Sequence, residues 1–222
     1  MSHYFSRVQL TASPRDSELL IQLSRHGEAY RDHALIWQLF PGDGVPRDFL
    51  FRSERSASGA VVYYVISQRP PQPSPGLFSV QSKPYAPQLT EGEWLHFDLR
   101  VNPTVSRGAA GKKSQRHDVL MDAKRQAGSD DDAHARVDAA AQQWLLKRAA
   151  DWGLSIREDS LLTSGYTQHR LRHKGQRIEF SSLDYQGVAQ VRDPLLLAAA
   201  LTSGVGRARG FGCGLLLIKR VG

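Results

Sequence analysis

From Glu93 to Asn102 the residues alternate without a break. Leu95, Phe97, Leu99 and Val101 fall on one side, and Trp94, His96, Asp98 and Arg100 on the other. Only the two-residue repeat of a strand gathers those four apolar side chains onto one face. A strand with one apolar face commits the chain to a sheet packed against something, so the preceding segments must supply partners. Tyr4–Leu10 has the same period, with Tyr4, Ser6, Val8 and Leu10 sharing a face. Phe49–Ser53 and Ala60–Ser67 are two further strands joined by the small-residue connection Glu54–Gly59. Val61, Tyr63 and Val65 face one way and Val62, Tyr64 and Ile66 the other, which predicts a central strand covered on both sides. Four prolines between Arg69 and Gly76 make that stretch a loop, and Phe78–Pro84 reads as an edge strand.

Between the first two strands, Ala29–Gly42 reads as a helix that Pro41-Gly42 stops. Ser17–Leu23 adds a helical turn or two ahead of it. Strand, helix, strand, strand, irregular connection, strand is the ferredoxin-like order βαββ(α)β. After Pro103–Gln115, a basic segment with Arg107, Lys112 and Lys113 among small residues, the pattern repeats in outline. A short strand near His117–Met121 is followed by Asp130-Asp131-Asp132, which suits a helix N-terminus. A helix from Ala133 to Trp152 stops at Gly153. Two strands follow, then a helix from Asp193 to Thr202 with Pro194 at its first position, and a final strand at Phe211–Ile218. The expectation is an α+β chain of two tandem ferredoxin-like (βαββαβ, RRM-like) domains, residues 1–105 and 106–222.

Net charge bounds the partner. The 222 residues carry 29 Lys and Arg against 22 Asp and Glu, a formal +7, which favours a polyanion such as nucleic acid without separating RNA from DNA. Cys213 is the sole cysteine and has glycines and leucines around it, so neither a disulfide framework nor a thiolate metal cluster is expected, and the thiol reads as buried and inert. No charged leader precedes an apolar core at the N-terminus. The longest apolar runs, such as Leu195–Leu201, are far shorter than a membrane span. A cytoplasmic location and no membrane partner are the expectations.

Three stretches carry candidate chemistry. In the Ala29–Gly42 helix, Tyr30, His33 and Trp37 share one stripe, because residues three and four apart are helix neighbours. On the residues alone such a histidine reads first as packed core; with a phosphate nearby, a phenol and an imidazole one turn apart form an acid/base pair. The second stretch is a basic hairpin, Tyr166–Phe180, turning at Lys174-Gly175. Alternation sets Arg170, Arg172 and Lys174 on one face, a row that can follow a phosphate backbone or simply protect an edge strand. The third is Ser203–Leu215, with Gly206, Arg207, Arg209 and Gly210. Its glycines follow a helix and open a strand, the reverse of a dinucleotide or P-loop, which leaves a backbone able to approach phosphate closely or a purely structural turn.

Tyr30-x-x-His33-x-x-x-Trp37-x-Leu39-Phe40-Pro41, Arg47-Asp48-Phe49-Leu50-Phe51-Arg52, Leu99-Arg100-Val101-Asn102-Pro103 and the terminal glycine loop together resemble the CasE-type CRISPR RNA-processing endoribonucleases of type I-E systems, members of the repeat-associated RNA-binding (RAMP) superfamily. The resemblance implies two ferredoxin-like domains and cleavage of CRISPR repeat RNA at the base of a stem-loop, with no metal or other cofactor. It also implies a place beside the other subunits of the type I-E Cascade complex. Tyr30 and His33 match the family's catalytic pair. In this chemistry the ribose 2′-hydroxyl is an internal nucleophile. His33 is then general base on that hydroxyl or general acid on the departing 5′-oxygen, with Lys112 or Lys113 the cation near the phosphate. The products carry a 2′,3′-cyclic phosphate and a 5′-hydroxyl. A non-catalytic RNA-binding subunit is the rival reading, and a duplex-DNA binder a distant third.

Overall fold

The structure, a computed structural model, describes residues 2–11, 17–42, 44–56, 59–73, 76–108, 115–127, 130–173 and 176–222. β1 (His3–Leu10) leads through α1 (Ser17–Ser24) and α2 (Glu28–Trp37) to β2 (Phe49–Arg55), β3 (Val61–Ser67) and β4 (Phe78–Tyr85). These strands form one antiparallel sheet in the order β2-β3-β1-β4. β3 is central, as its two apolar faces require. Tyr63 and Val65 pack with Val8, Phe49 and Phe51 under Leu35, Ile36 and Leu39. Tyr64 and Ile66 face the opposite way. α2 ends at Trp37, short of Pro41, and Leu39 and Phe40 continue into the core from the turn that follows.

β5 (Trp94–Val101) buries Leu95, Phe97, Leu99 and Val101 as its alternation demands, but not in the first sheet. After it come β6 (Thr104–Arg107), β7 (Gln115–Asp118), α3 (Val119–Gln126), α4 (Asp130–Ala149), β8 (Leu154–Ile156), β9 (Leu162–His173), β10 (Gln176–Val191), α5 (Pro194–Ser203) and β11 (Leu216–Arg220). The second sheet is antiparallel in the order β11-β5-β10-β8, with β9 hairpinned onto β10. Its core sets Leu99, Val101, Tyr185 and Val191 against Trp144 and Leu145 of α4 and Leu197 and Leu201 of α5.

Three expectations need correction. β5 belongs to the second sheet, so a division at residues 105/106 separates it from β10 and β11, its hydrogen-bonded neighbours; the chain changes sheets between Tyr85 and Trp94. Alternation identifies a strand but carries no information about which distant strand pairs with it. The strand expected near His117–Met121 is β7, which among the described residues pairs with β6 in a separate ribbon and ends at Asp118. The Asp118 carboxylate accepts from the Met121 N–H at 2.8 Å and starts α3, the N-cap role short polar side chains favour. The final strand begins at Leu216 and not at Phe211, because Ala208, Gly212 and Gly214 are left-handed and Arg209–Phe211 coils into a 3-10 turn.

The two sheets are joined by an apolar seam and an ionic one. Leu50 and Ile66 of the first sheet meet Leu215. Beside them, buried Arg52 of β2 reaches Asp98 of β5 at 2.6 Å and lies 2.7 Å from Glu54. Arg100 pairs with both oxygens of Asp184 at 2.7 Å and donates to the Ser53 carbonyl at 3.0 Å. No helix among the described residues is long and apolar enough to cross a membrane.

Candidate active site

α2 is pinned in rotation from below. Its buried Asp32 accepts from the Tyr63 hydroxyl at 2.9 Å and from Arg31 at 3.0 and 3.1 Å. Burial and the Asp32 carboxylate push the Tyr63 phenol well above its ordinary range, so it stays a neutral donor. With Asp32, Leu35 and Ile36 facing the sheet, Tyr30, His33 and Trp37 lie half-buried along the shoulder of the helix. Ring centroids are 6.3 Å apart from Tyr30 to His33 and again from His33 to Trp37, the stripe the helical spacing predicts.

The glycine loop closes over this stripe. Its neck is set by the Val205 N–H donating to the Gly214 carbonyl at 2.9 Å and the Gly214 N–H donating to the Arg100 carbonyl at 2.7 Å. A Cβ on Gly214 would lie 2.3 Å from the Val205 oxygen, so this glycine is required by the close approach as well as by its φ of 85°. The loop then brings the Gly210 carbonyl 2.7 Å from His33 Nδ1. A carbonyl can only accept, so Nδ1 carries the hydrogen and the neutral ring presents its lone pair at Nε2. A backbone atom from the far end of the chain thereby fixes the tautomer in which Nε2 is the nitrogen able to take a proton.

Phe211 extends the contact. Its ring lies 5.4 Å from His33 and 5.4 Å from Phe180, which stacks on His169 at 4.5 Å. His169 Nε2 is 2.8 Å from the Ser182 hydroxyl, and burial followed by the charge of Arg100 holds its imidazole below the usual histidine value. The β9–β10 hairpin is seated beside α2 in a second way: Leu171 packs so closely on Gly27, just before the helix, that a Cβ there would meet its Cδ2 at 2.9 Å. Sequence reasoning missed Phe211 as a neighbour of His33, with Phe180 and His169 in turn behind it, since their only signal is aromatic character on segments that meet through tertiary packing.

Among the predicted RNA-binding residues, Gly210 sits at the His33 contact, and Arg209, its neighbour in the chain, donates to the Ser203 carbonyl at 2.6 Å. Arg207 and Gly206 are exposed on the loop, and a Cβ on Gly206 would meet nothing within 4 Å. Arg170 is exposed, 3.4 Å from Glu179, while Leu171 is buried and His169 half-buried behind it, as strand alternation predicts. Lys112, Lys113 and Lys174 lie outside the described residues, as does the side chain of Arg172. Cys213 is buried with its thiol pushed up to about 12 by that burial, which suits an inert packing residue.

Residues 3–220 match the sequence profile of the family described as CRISPR associated protein, and the chain belongs to that family. It is similar to the CRISPR system Cascade subunit CasE of Escherichia coli, 25% identical over 207 residues that cover 90% of this chain and 96% of the relative. It is also 25% identical to the CRISPR-associated endoribonuclease Cse3 of Thermus thermophilus, over 146 residues covering 61% of this chain and 60% of that one. The solved structure of Thermus thermophilus Cse3 bound to an RNA representing a pre-cleavage complex superposes with a TM-score of 0.72 at 22% identity, covering 99% of this chain and 100% of that one. That last likeness establishes the shared α+β fold.

Proposed function

We propose that this chain is a metal-independent endoribonuclease of the CasE type, which binds the CRISPR repeat stem-loop and cuts precursor CRISPR RNA at the base of the stem. The observation that carries the reading is the His33 Nδ1 to Gly210 carbonyl hydrogen bond, which makes Nε2 the basic nitrogen of the ring, one helical turn from a phenol. Neutral His33 takes the proton of the ribose 2′-hydroxyl, whose oxygen attacks the adjacent phosphorus. The bond to the 5′-oxygen breaks, and that oxygen takes a proton from the Tyr30 phenol or from water. A 2′,3′-cyclic phosphate and a 5′-hydroxyl remain. Because the nucleophile is part of the substrate, no metal-bound water is required.

The names of the relatives support the same reading, one being called an endoribonuclease and the other a Cascade subunit. On this reading the basic hairpin, with Arg170, Arg172 and Lys174, follows the stem phosphates. Lys112, Lys113, Arg207 and Arg209 add phosphate contacts. The product stays bound for assembly with other type I-E subunits in the cytoplasm. The strand orders β2-β3-β1-β4 and β11-β5-β10-β8 support two tandem ferredoxin-like units, the second beginning at β5. The test is incubation of purified protein with its repeat RNA in excess chelator. One cut leaving a cyclic phosphate, abolished by a single 2′-deoxyribose at the cut site, is the expected result. Tight binding with no cut would make the chain a non-catalytic RNA-binding subunit.

A further inference from the structure

A guanidinium that nothing in the sequence reading assigned stands beside His33. Arg47, half-buried just ahead of β2, places its Nη1 2.7 Å from the point where a Cβ on Gly210 would sit, and the same point is 3.7 Å from His33 Nδ1. The arginine tip and the imidazole thus approach one backbone position together, the arginine tip so closely that a Cβ at 210 would displace it. The acid next to it is already taken: Asp48 is held by Arg69 at 2.6 and 3.1 Å. Among the described residues Arg47 has no carboxylate within ion-pairing distance. Its charged neighbour is another cation, Arg209. Desolvation and that like charge both work against its protonated form, and a guanidinium keeps its proton regardless, so the local field is one of unneutralised positive charge. A surface arginine normally finds an acid or open water; a half-buried one whose charged neighbour is a second cation is arranged for an anion that arrives later.

We propose that Arg47 is a catalytic residue of the RNA-cleavage reaction, binding the non-bridging oxygens of the scissile phosphate and stabilising the charge that grows on them as the 2′-oxygen adds to phosphorus. This assigns to Arg47 the role the sequence suggested for Lys112 or Lys113, and it rests on the endoribonuclease reading above. The planar fork of the guanidinium suits two phosphate oxygens at once, and Gly210 supplies the space in which phosphate, arginine and imidazole meet. The proton balance is unchanged: Arg47 exchanges no proton and offers only hydrogen bonds and charge.

The test compares wild type, His33→Ala and Arg47→Ala in single-turnover cleavage of repeat RNA at saturating protein, alongside binding of the uncleavable 2′-deoxy RNA. Arg47→Ala should cut about 100- to 1000-fold more slowly while binding the deoxy RNA within about threefold of wild type. Added guanidinium ion should restore part of the rate to Arg47→Ala and none to His33→Ala, a rescue that a merely structural defect would not show. If Arg47→Ala fails to fold, Arg47→Gln, which keeps a polar tip without the charge, is read the same way. A wild-type cleavage rate in either variant overturns the proposal, as does a rate loss matched by an equal affinity loss with no guanidinium rescue. If wild type cuts, His33→Ala does not and Arg47→Ala does, this proposal alone fails. If wild type does not cut, the endoribonuclease reading fails and takes it along.

Discussion

At the scale of single residues, the site depends on hydrogen bonds that decide which nitrogen carries a proton. Helical spacing made the Tyr30–His33–Trp37 stripe legible from sequence, because it is local. The Gly210 carbonyl that fixes the His33 tautomer lies 177 residues away, and no pattern in the chain announces such a partner. His169 was equally hidden. Its imidazole is held below the ordinary value by burial and Arg100, so the folded protein binds fewer protons there than the unfolded chain does. Stability from this group is therefore complete above the unfolded value of about 6.5 and falls as pH drops below it, until the folded value is passed. Replacing His169 with Gln should flatten the loss of urea-unfolding stability across that acid window. Equal slopes for wild type and His169→Gln would show that the imidazole titrates as freely as in the unfolded chain.

At the scale of elements, the glycine loop separates two kinds of glycine. Gly206 has a φ of 68° with open space around it, whereas Gly214 has a φ of 85° and a backbone oxygen where its Cβ would go. Gly206→Ala should therefore cost only the left-handed penalty, about 1–2 kcal/mol. Gly214→Ala should cost clearly more and lower the thermal midpoint further, because Val205 must move too. Similar midpoints for the two variants would mean the loop neck is slack. The position of this loop between a helix and a strand was legible from its residues, and so was the hairpin. That both converge on one helix was not, since Leu171 on Gly27 and Phe211 on His33 are contacts between segments far apart in sequence.

At the scale of the molecule, the strands were legible and their partition between sheets was not. Trp94–Val101 was plainly a strand, yet its partners lie at Leu183–Gln190 and Leu216–Arg220, and only its two charged residues hint at the junction. Asp98 and Arg100, on the side of the strand opposite its apolar face, meet Arg52 and Asp184 where the sheets join. Replacing buried Arg52 with Leu leaves Glu54, Asp98 and Asp184 without its charge and should cost about 3–5 kcal/mol in urea unfolding. A loss below about 1 kcal/mol would show that the seam is held by Leu50, Ile66 and Leu215 alone.

The whole arrangement of helix, loop and hairpin is proposed to serve one proton transfer. The most direct measurement is single-turnover cleavage of the repeat RNA by His33→Ala in chelator, with affinity for the uncut stem-loop measured in parallel. Cleavage should be abolished while affinity stays within about tenfold, roughly 1.4 kcal/mol, because proton transfer acts only in the transition state and binding is spread over many phosphate contacts. Cutting at the wild-type rate would contradict the account and return His33 to the status of a packed core residue.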